Sequence, residues 1–434
     1  MGHSIRNTVL PRIYGRSEHI VSRKNIDPDA LKIIHRLSRN GYKAYLVGGG
    51  VRDLLLDKKP KDFDIATDAR PFRVKALFRN CRIIGRRFKL AHVYFAGGKI
   101  IEVSTFRDSN HAAEEDENGV HPDEPIRSDN VYGTEETDAL RRDITINALF
   151  YDLSNFSIID YVGGMQDLQD RRVRVIGDPQ SRFIEDPVRL LRVVRYAAKA
   201  DFSIDPQCKK AILKNHDLIL KSSSMRLYEE LRKDLCSGYC SKTLPLLYKY
   251  QLLQHLLPEL SHQDMLAPQS PYVACLKHAD TVVANHPETA MTPMLCLLGL
   301  FMLHSDPSTL DFTQHFSEQD EVYEFSNEIF KKLAVPRKER ERICGTLTLW
   351  LKILTTPTEK LKPSTLIRNE NYQVLLTLLE LINRSGRQQT LLDFLTALPK
   401  RRDSGRGQSK SRRKRSSNTR RGAGWRSPMP RRRA

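Results

Sequence analysis

At 434 residues the chain is long enough for about three domains of ~150 residues, and its 40% hydrophobic content suits a folded core that needs no disulfide staples. Seven scattered cysteines exclude a disulfide-framework secreted domain and a zinc ribbon and favour a reducing compartment; the longest apolar run, 294–303, falls far short of the ~20 residues of a membrane span. The net charge of +19 lies mostly in 400–434, where fifteen Lys/Arg face one acid, so the implied partner is a polyanion, nucleic acid rather than membrane because no apolar face accompanies the charge.

Residues 1–24 read as a basic leader broken by Pro11 and Gly15, with no signal-peptide pattern. Leu31, Ile34 and Leu37 predict a helix over 27–38, ended by Asn40-Gly41. Residues 42–47 predict a strand running into Gly48-Gly49-Gly50, after which 51–56 resume a helical pattern. A strand at 63–66, a helix at 71–78 and a strand pair 91–95 and 99–105 across Gly97-Gly98 complete a compact α/β domain. The polar, acidic stretch 109–136 has no periodicity and reads as a mobile loop. From 182 onward Leu-rich helical blocks recur near 188–199, 225–236, 244–257, 291–303, 341–354 and 374–383. After Pro399 the composition is Arg/Ser/Gly/Pro, which predicts a disordered tail.

Several clusters carry chemistry. Glycines between a strand and a helix let backbone N–H groups approach a phosphate, and Arg52 one turn later can add a charge-assisted contact. In Asp62-Phe63-Asp64, strand alternation would put both carboxylates on one face, where a divalent cation relieves their repulsion. Glu102 is a lone acid in an apolar strand, costly unless it binds something; the plain alternative is an outward-facing residue on an edge strand. Arg141-Arg142-Asp143 and Asn147 can bind triphosphate and ribose oxygens. Asp160-Tyr161-Val162-Gly163-Gly164 reads as a turn. Asp186, Arg189, Arg192 and Arg195 recur every three residues, predicting one polar stripe on a helix with Leu190, Val193, Val194 and Ala197 facing the core. Such a stripe is either a solvated face or a reader of a base edge and its phosphates. His92 reads as a packed strand residue, Cys236 and Cys240 as ordinary packing, and His216-Asp217 as a coincidental pair without partner histidines.

In this order the motifs GGGVRD (48–53), DFD (62–64), EVSTFR (102–107), RRDITINAL (141–149), DYVGGMQDL (160–168) and EDPVRLLRVVR (185–195) resemble the class II polynucleotide nucleotidyltransferases, the family of bacterial poly(A) polymerases and CCA-adding enzymes. The resemblance covers about 22–236. It implies an α/β nucleotidyltransferase head with a small mixed sheet over 25–170 and an all-α neck over 171–240 that binds the base and RNA. An all-α, RNA-binding body over 241–399 and the basic tail follow.

It implies further that Asp62 and Asp64 hold two Mg²⁺ ions and that Glu102 supports them. Gly48, Gly49, Arg52 and Arg142 would bind the triphosphate, and Asp143 would sit on the ribose as a fourth catalytic acid. Asp186 and Arg189 would meet the base, with Arg192 and Arg195 behind them. The segments GRRFKLAHV (85–93), DNVYGT (129–134) and MRLYEEL (225–231) look like the poly(A) polymerase branch. The expected activity is template-independent transfer of AMP from ATP to RNA 3′ ends without sequence preference. The alternatives are a CCA-adding tRNA nucleotidyltransferase and an inactive RNA-binding protein. Arg401, Arg402, Arg412, Arg413, Lys414 and Arg415 would grip RNA. The protein is expected to be a cytoplasmic monomer without membrane association, working beside RNA-decay machinery.

Overall fold

The computed structural model describes residues 10–85, 89–108, 131–260, 266–303, 316, 318–383, 386 and 389–398. Arg86 to Phe88, most of the expected loop (109–130) and the whole tail with its six expected RNA-binding residues lie outside the described residues.

The head is built on an eight-stranded mixed sheet: β1 (Arg12–Tyr14), β2 (Ala44–Val47), β3 (Asp64–Thr67), β4 (Cys81–Ile84), β5 (Leu90–Tyr94), β6 (Ile100–Thr105), β7 (Leu149–Asp152) and β8 (Ser157–Asp160), ordered β1-β8-β7-β2-β3-β6-β5-β4. Every neighbouring pair is antiparallel except β3 and β6, which run parallel. Helices α1 (Pro28–Arg39), α2 (Gly49–Leu55) and α3 (Pro71–Leu77) accompany it. The α1 helix follows its sequence signals closely. Asp27 caps it by accepting from the Asp29 N–H at 2.8 Å, Pro28 opens it, and Ala30, Ile33, Ile34 and Leu37 form its buried face.

The sheet is larger than its sequence pattern predicts. β1, β4, β7 and β8 have three or four residues each, and β8 is buried throughout, so period-two alternation cannot reveal it. Part of the expected loop is helical: α4 (Glu135–Leu140) starts at Thr134, whose side chain and that of Thr137 cap each other's backbone N–H. The turn after β8 is held by Asp160, whose carboxylate accepts from the N–H groups of Val162, Gly163, Gly164 and Met165 at 2.9–3.0 Å and so opens α5 (Gly164–Gln169).

A short parallel pair, β9 (Arg172–Val173) with β10 (Ser203–Ile204), ties the head to the helices that follow. These are α6 (Pro179–Glu185), α7 (Arg189–Ala200), α8 (Pro206–Asn215), α9 (Ser224–Leu235) and α10 (Cys240–Lys249). The expected block 244–257 is divided: α10 ends at Lys249, Gln251 turns with φ 59°, and a short helix Leu253–Leu256 follows. Farther on, the helix Met291–Leu303 is buried from Met291 through Phe301 and serves as the axis of the body's core. The helices Arg337–Thr355 and Tyr372–Ile382 cover the remaining Leu-rich blocks. No described helix is long and apolar enough to cross a membrane.

Candidate active site

The site begins where β2 gives way to α2. Gly48 has φ 73° and ψ −145°, open in practice only to glycine, and a Cβ there would lie 3.5 Å from an Asp64 carboxylate oxygen and 3.7 Å from the Arg142 guanidinium. Backbone, acid and cation therefore meet at one corner.

Asp64 is the first residue of β3, and the parallel register sets it beside Glu102 on β6. Burial pushes the Asp64 carboxyl up to about 6; Glu102 and Asp62 push the same way, and Arg142 opposes them. Glu102 is half exposed, on an interior strand rather than an edge, with His92 Nε2 on β5 at 3.3 Å from its Oε1. Asp62 corrects the alternation argument. It stands before β3, exposed, on the wall of an adjoining cavity with Lys58, Lys61 and Lys99.

Among the described residues no three His, Cys, Asp or Glu side chains converge into a metal cage, so the three acids do not form one cluster. Mg²⁺ does not require one, since it binds through one or two carboxylates while keeping waters and substrate phosphates. A buried carboxyl raised by neighbouring acids is a group whose ionised form a divalent cation stabilises. Asp64, with Asp62 or Glu102 as companion, fits such an ion.

The cavity holding this corner has a volume of about 550 Å³ and spans head and neck: Gly48, Gly49, Asp64 and Glu102 line it together with Arg141, Arg142, Asp143, Asp186, Arg189, Arg192 and Arg226. Its arginines are fixed from behind. Asp138, fully buried on α4, accepts from Arg141 at 2.6 and 2.9 Å with one oxygen and from Arg142 at 2.8 and 3.1 Å with the other. Burial raises the Asp138 pKa, but the two guanidinium groups outweigh it and hold the carboxyl below its usual range. Sequence reasoning missed Asp138 because it falls between the expected loop, which ends at 136, and the Arg141-Arg142-Asp143 cluster; its spacing to Arg141 and Arg142 was the available signal.

Asp143 is likewise engaged, accepting from Arg189 Nε at 2.9 Å and Arg192 Nη1 at 2.6 Å. Those cations overcome the effect of its burial and keep it ionised. Asp186 is not part of the α7 stripe. It ends α6 in an extended conformation ahead of Pro187, and its carboxylate pairs with Arg226 of α9 at 2.9 Å.

Nor is the stripe a solvated face. Arg192 reaches Glu230 at 3.2 Å, and Arg195 is buried outside the cavity lining, bonded to Glu230 and Asp234 at 2.5 Å each. Arg52 is also buried, behind the glycine turn, where it donates to Asp53 and to Asn147 Oδ1 at 2.7 Å. The arrangement therefore offers an acidic corner beside a fork of arginines, suited to a polyphosphate.

Away from the cavity, His216 is paired with His255 at 2.9 Å between ring nitrogens. All seven cysteines are free.

A family model described as "Poly A polymerase head domain" matches residues 44–174, and one described as "Probable RNA and SrmB- binding site of polymerase A" matches 201–263. The poly(A) polymerase I of Salmonella typhi is 44% identical over 305 residues, 68% of this chain and 63% of that protein. The CCA-adding enzyme of Bacillus pumilus is 36% identical over 227 residues, 52% of this chain and 54% of that protein. The chain thus spans about 63% of the length of the first of these relatives. The Bacillus stearothermophilus CCA-adding enzyme in complex with CTP shares the fold, with a TM-score of 0.57 at 24% identity over 86% of this chain and 82% of that one. With family models on both head and neck and its relatives drawn from both branches, the chain belongs to the nucleotidyltransferase family of bacterial poly(A) polymerases and CCA-adding enzymes.

Proposed function

We propose that the chain is a template-independent poly(A) polymerase that transfers AMP from ATP to RNA 3′ ends and releases pyrophosphate. The observation that carries this reading is the cavity in which Asp64 and Glu102 share a wall with Arg141, Arg142, Arg189 and Arg192. In the proposed reaction the primer 3′-oxygen forms a bond to the α-phosphorus, the bond from that phosphorus to the bridging oxygen breaks, and the hydroxyl proton leaves to solvent.

Arg142, locked by Asp138, offers its guanidinium to the triphosphate, and Gly48 lets a phosphate approach the backbone without a side chain in the way. Asp143 holds Arg189 and Arg192 in place and keeps lone pairs for a ribose hydroxyl, while Asp186 and Arg189 lie where an incoming base could be read. Asp62 and Asp64 would hold the two Mg²⁺ ions, which supply charge neutralisation at the α-phosphate and a lowered pKa for the attacking hydroxyl. Catalysis is then mostly positioning and charge stabilisation, with no dedicated protein base. The proposal includes a head over 25–170, a neck over 171–240, a body over 241–399, and a cytoplasmic monomer working beside RNA-decay machinery.

Offering ATP or CTP with a generic RNA separates the two branches. Long A-tracts and poor CTP use are expected; addition limited to a CCA end would transfer the chain to the tRNA-processing branch.

Because the free Asp64 carboxyl titrates near 6, metal binding should release a proton below that pH. Mn²⁺ affinity measured by calorimetry should fall by about tenfold per pH unit below 6 for one displaced proton. A flat profile from pH 5 to 7 would separate Asp64 from the ion.

Residues 400–434 should add sequence-independent grip. Each phosphate neutralised contributes about −0.7 to the log–log salt slope on single strands, so removing ~5 contacts flattens the slope by about 3.5. Deletion of 400–434 should do this while leaving ATP affinity alone; an unchanged slope would make the tail an inert extension.

A further inference from the structure

We propose that His92 is a positioning residue for the catalytic corner: it holds the Glu102 carboxylate in place on the sheet, so that this acid joins Asp64 in binding a divalent cation. This role rests on the metal assignment made above. It concerns a strand histidine that the reaction, as described, leaves unused.

The strand pairing carries one polar row across the head. Asp64 on β3 stands opposite Glu102 on β6, Glu102 opposite His92 on β5, and His92 opposite Arg82 on β4. These strands are consecutive in the sheet, and residues directly opposed in register share a face. That face is the one turned to the active-site cavity. Ile101 and Val103 of β6 and Ala91 and Val93 of β5 are buried in the core, whereas Leu90, Glu102 and Ser104 line the cavity. His92 follows Leu90 by two positions, so strand alternation turns it the same way.

His92 therefore stands on the functional face, and what it meets there is an acid. Its Nε2 lies 3.3 Å from Glu102 Oε1. In the tautomer that carries the proton on Nε2, a small rotation completes a hydrogen bond, so the ring needs no charge for this role. Tyr94 flanks the imidazole with ring centroids 6.4 Å apart, and the Arg82 guanidinium sits over the Tyr94 ring at 5.6 Å. Arg82 is thus occupied by an aromatic face, and the imidazole is left to the carboxylate.

Glu102 needs that restraint. Its side chain is flexible and 49% exposed, and it stands beside a like charge, being one of the acids that Asp64 feels. Repulsion alone would swing it away from Asp64 into water. Because β6 lies between β3 and β5, an imidazole donor engages Glu102 from the side opposite Asp64. One carboxylate oxygen is then held and the other is left for a cation shared with Asp64. Outer partners of this kind orient metal-binding groups, and removing one typically weakens the ion by about 10- to 100-fold. His92 is not itself placed as a ligand, since Mg²⁺ takes oxygen donors.

The test is calorimetry of Mn²⁺ binding to the full chain without nucleotide. His92→Ala and His92→Leu should each bind Mn²⁺ about tenfold more weakly, the second keeping the bulk of the side chain without its donor. His92→Gln offers an amide N–H in place of the ring N–H and should stay within about threefold of wild type. In a Glu102→Gln background, His92→Leu should cost nothing further, because a residue that acts through Glu102 loses its effect with it. Wild-type affinity in both His92→Ala and His92→Leu, or the same tenfold loss on top of Glu102→Gln, would overturn the positioning role while leaving the metal assignment standing. A wild-type chain that binds no Mn²⁺ would remove the metal assignment itself, and the role of His92 with it.

Discussion

Asp64→Asn is expected to lower AMP incorporation about a thousandfold while leaving the fold intact. The substitution keeps the shape of the side chain at the start of β3 and removes only its charge. A metal held there would supply several kcal/mol of transition-state stabilisation, which corresponds to about three orders of magnitude in rate. Stability should move in the other direction.

The folded Asp64 carboxyl titrates near 6, above its ordinary 3.8, so the native state takes up the proton more readily than the unfolded chain. Its ionisation therefore erodes stability as pH rises from about 4 through 6, and the neutral amide escapes that cost. Thermal unfolding at pH 7.5 should show Asp64→Asn at least as stable as wild type. Asp62→Ala should also abolish incorporation, and its exposed position makes a folding explanation untenable. Near-normal turnover by either variant would refute the metal assignment.

Arg195→Met is expected to cost about 3–5 kcal/mol of folding stability, the toll of leaving buried charges without their counterion. Glu230 and Asp234 sit one turn apart on α9, both buried, and Arg195 reaches each of them at 2.5 Å. Burial, with Glu230 adding to it, pushes Asp234 up to about 6 against the pull of Arg195. Adding Glu230→Gln and Asp234→Asn to Arg195→Met should recover most of the loss, because the orphaned charges are then gone. Chemical denaturation of the three proteins decides this. A single variant within 1 kcal/mol of wild type would mean the cluster does not hold α7 on α9. Arg192 shares Glu230 and also grips Asp143, so the same cluster supports the cavity wall from behind.

The residues around the cavity were legible because each belongs to a short motif whose spacing survives without a structure. Gly48, Asp64, Glu102, Arg142, Asp143, Asp186, Arg189 and Arg192 all line one cavity. What the sequence concealed is what stands behind them. The acids that restrain Arg195 come from α9, some 35 to 39 positions later, and a regular arginine stripe looks the same whether it faces water or a buried carboxylate.

Asp138 fell in the gap between the expected loop, which ends at 136, and the Arg141-Arg142-Asp143 motif, although Thr134 carries a readable cap. The placement of Asp186 off the α7 helix had a signal in Pro187, which disfavours a helical residue before it. In the head sheet β7 and β8 escaped notice because they are buried almost throughout and lack alternation, and β1 and β4 because they are short edge strands. The helical body was legible in kind, since Leu-rich periodicity over ten or more residues is hard to mimic, but not in number: the helices Pro271–Asn285, Gln319–Lys332 and Gln389–Ala397 lie outside the expected blocks.

The central claim is that an acidic corner at Asp64 binds a divalent cation beside a nucleoside triphosphate. Anomalous scattering from crystals soaked with Mn²⁺ and a non-hydrolysable ATP analogue tests it most directly. The expected map has manganese at Asp64 and triphosphate density against Arg142. Manganese absent from that corner, or a nucleotide bound elsewhere on the chain, would contradict the account.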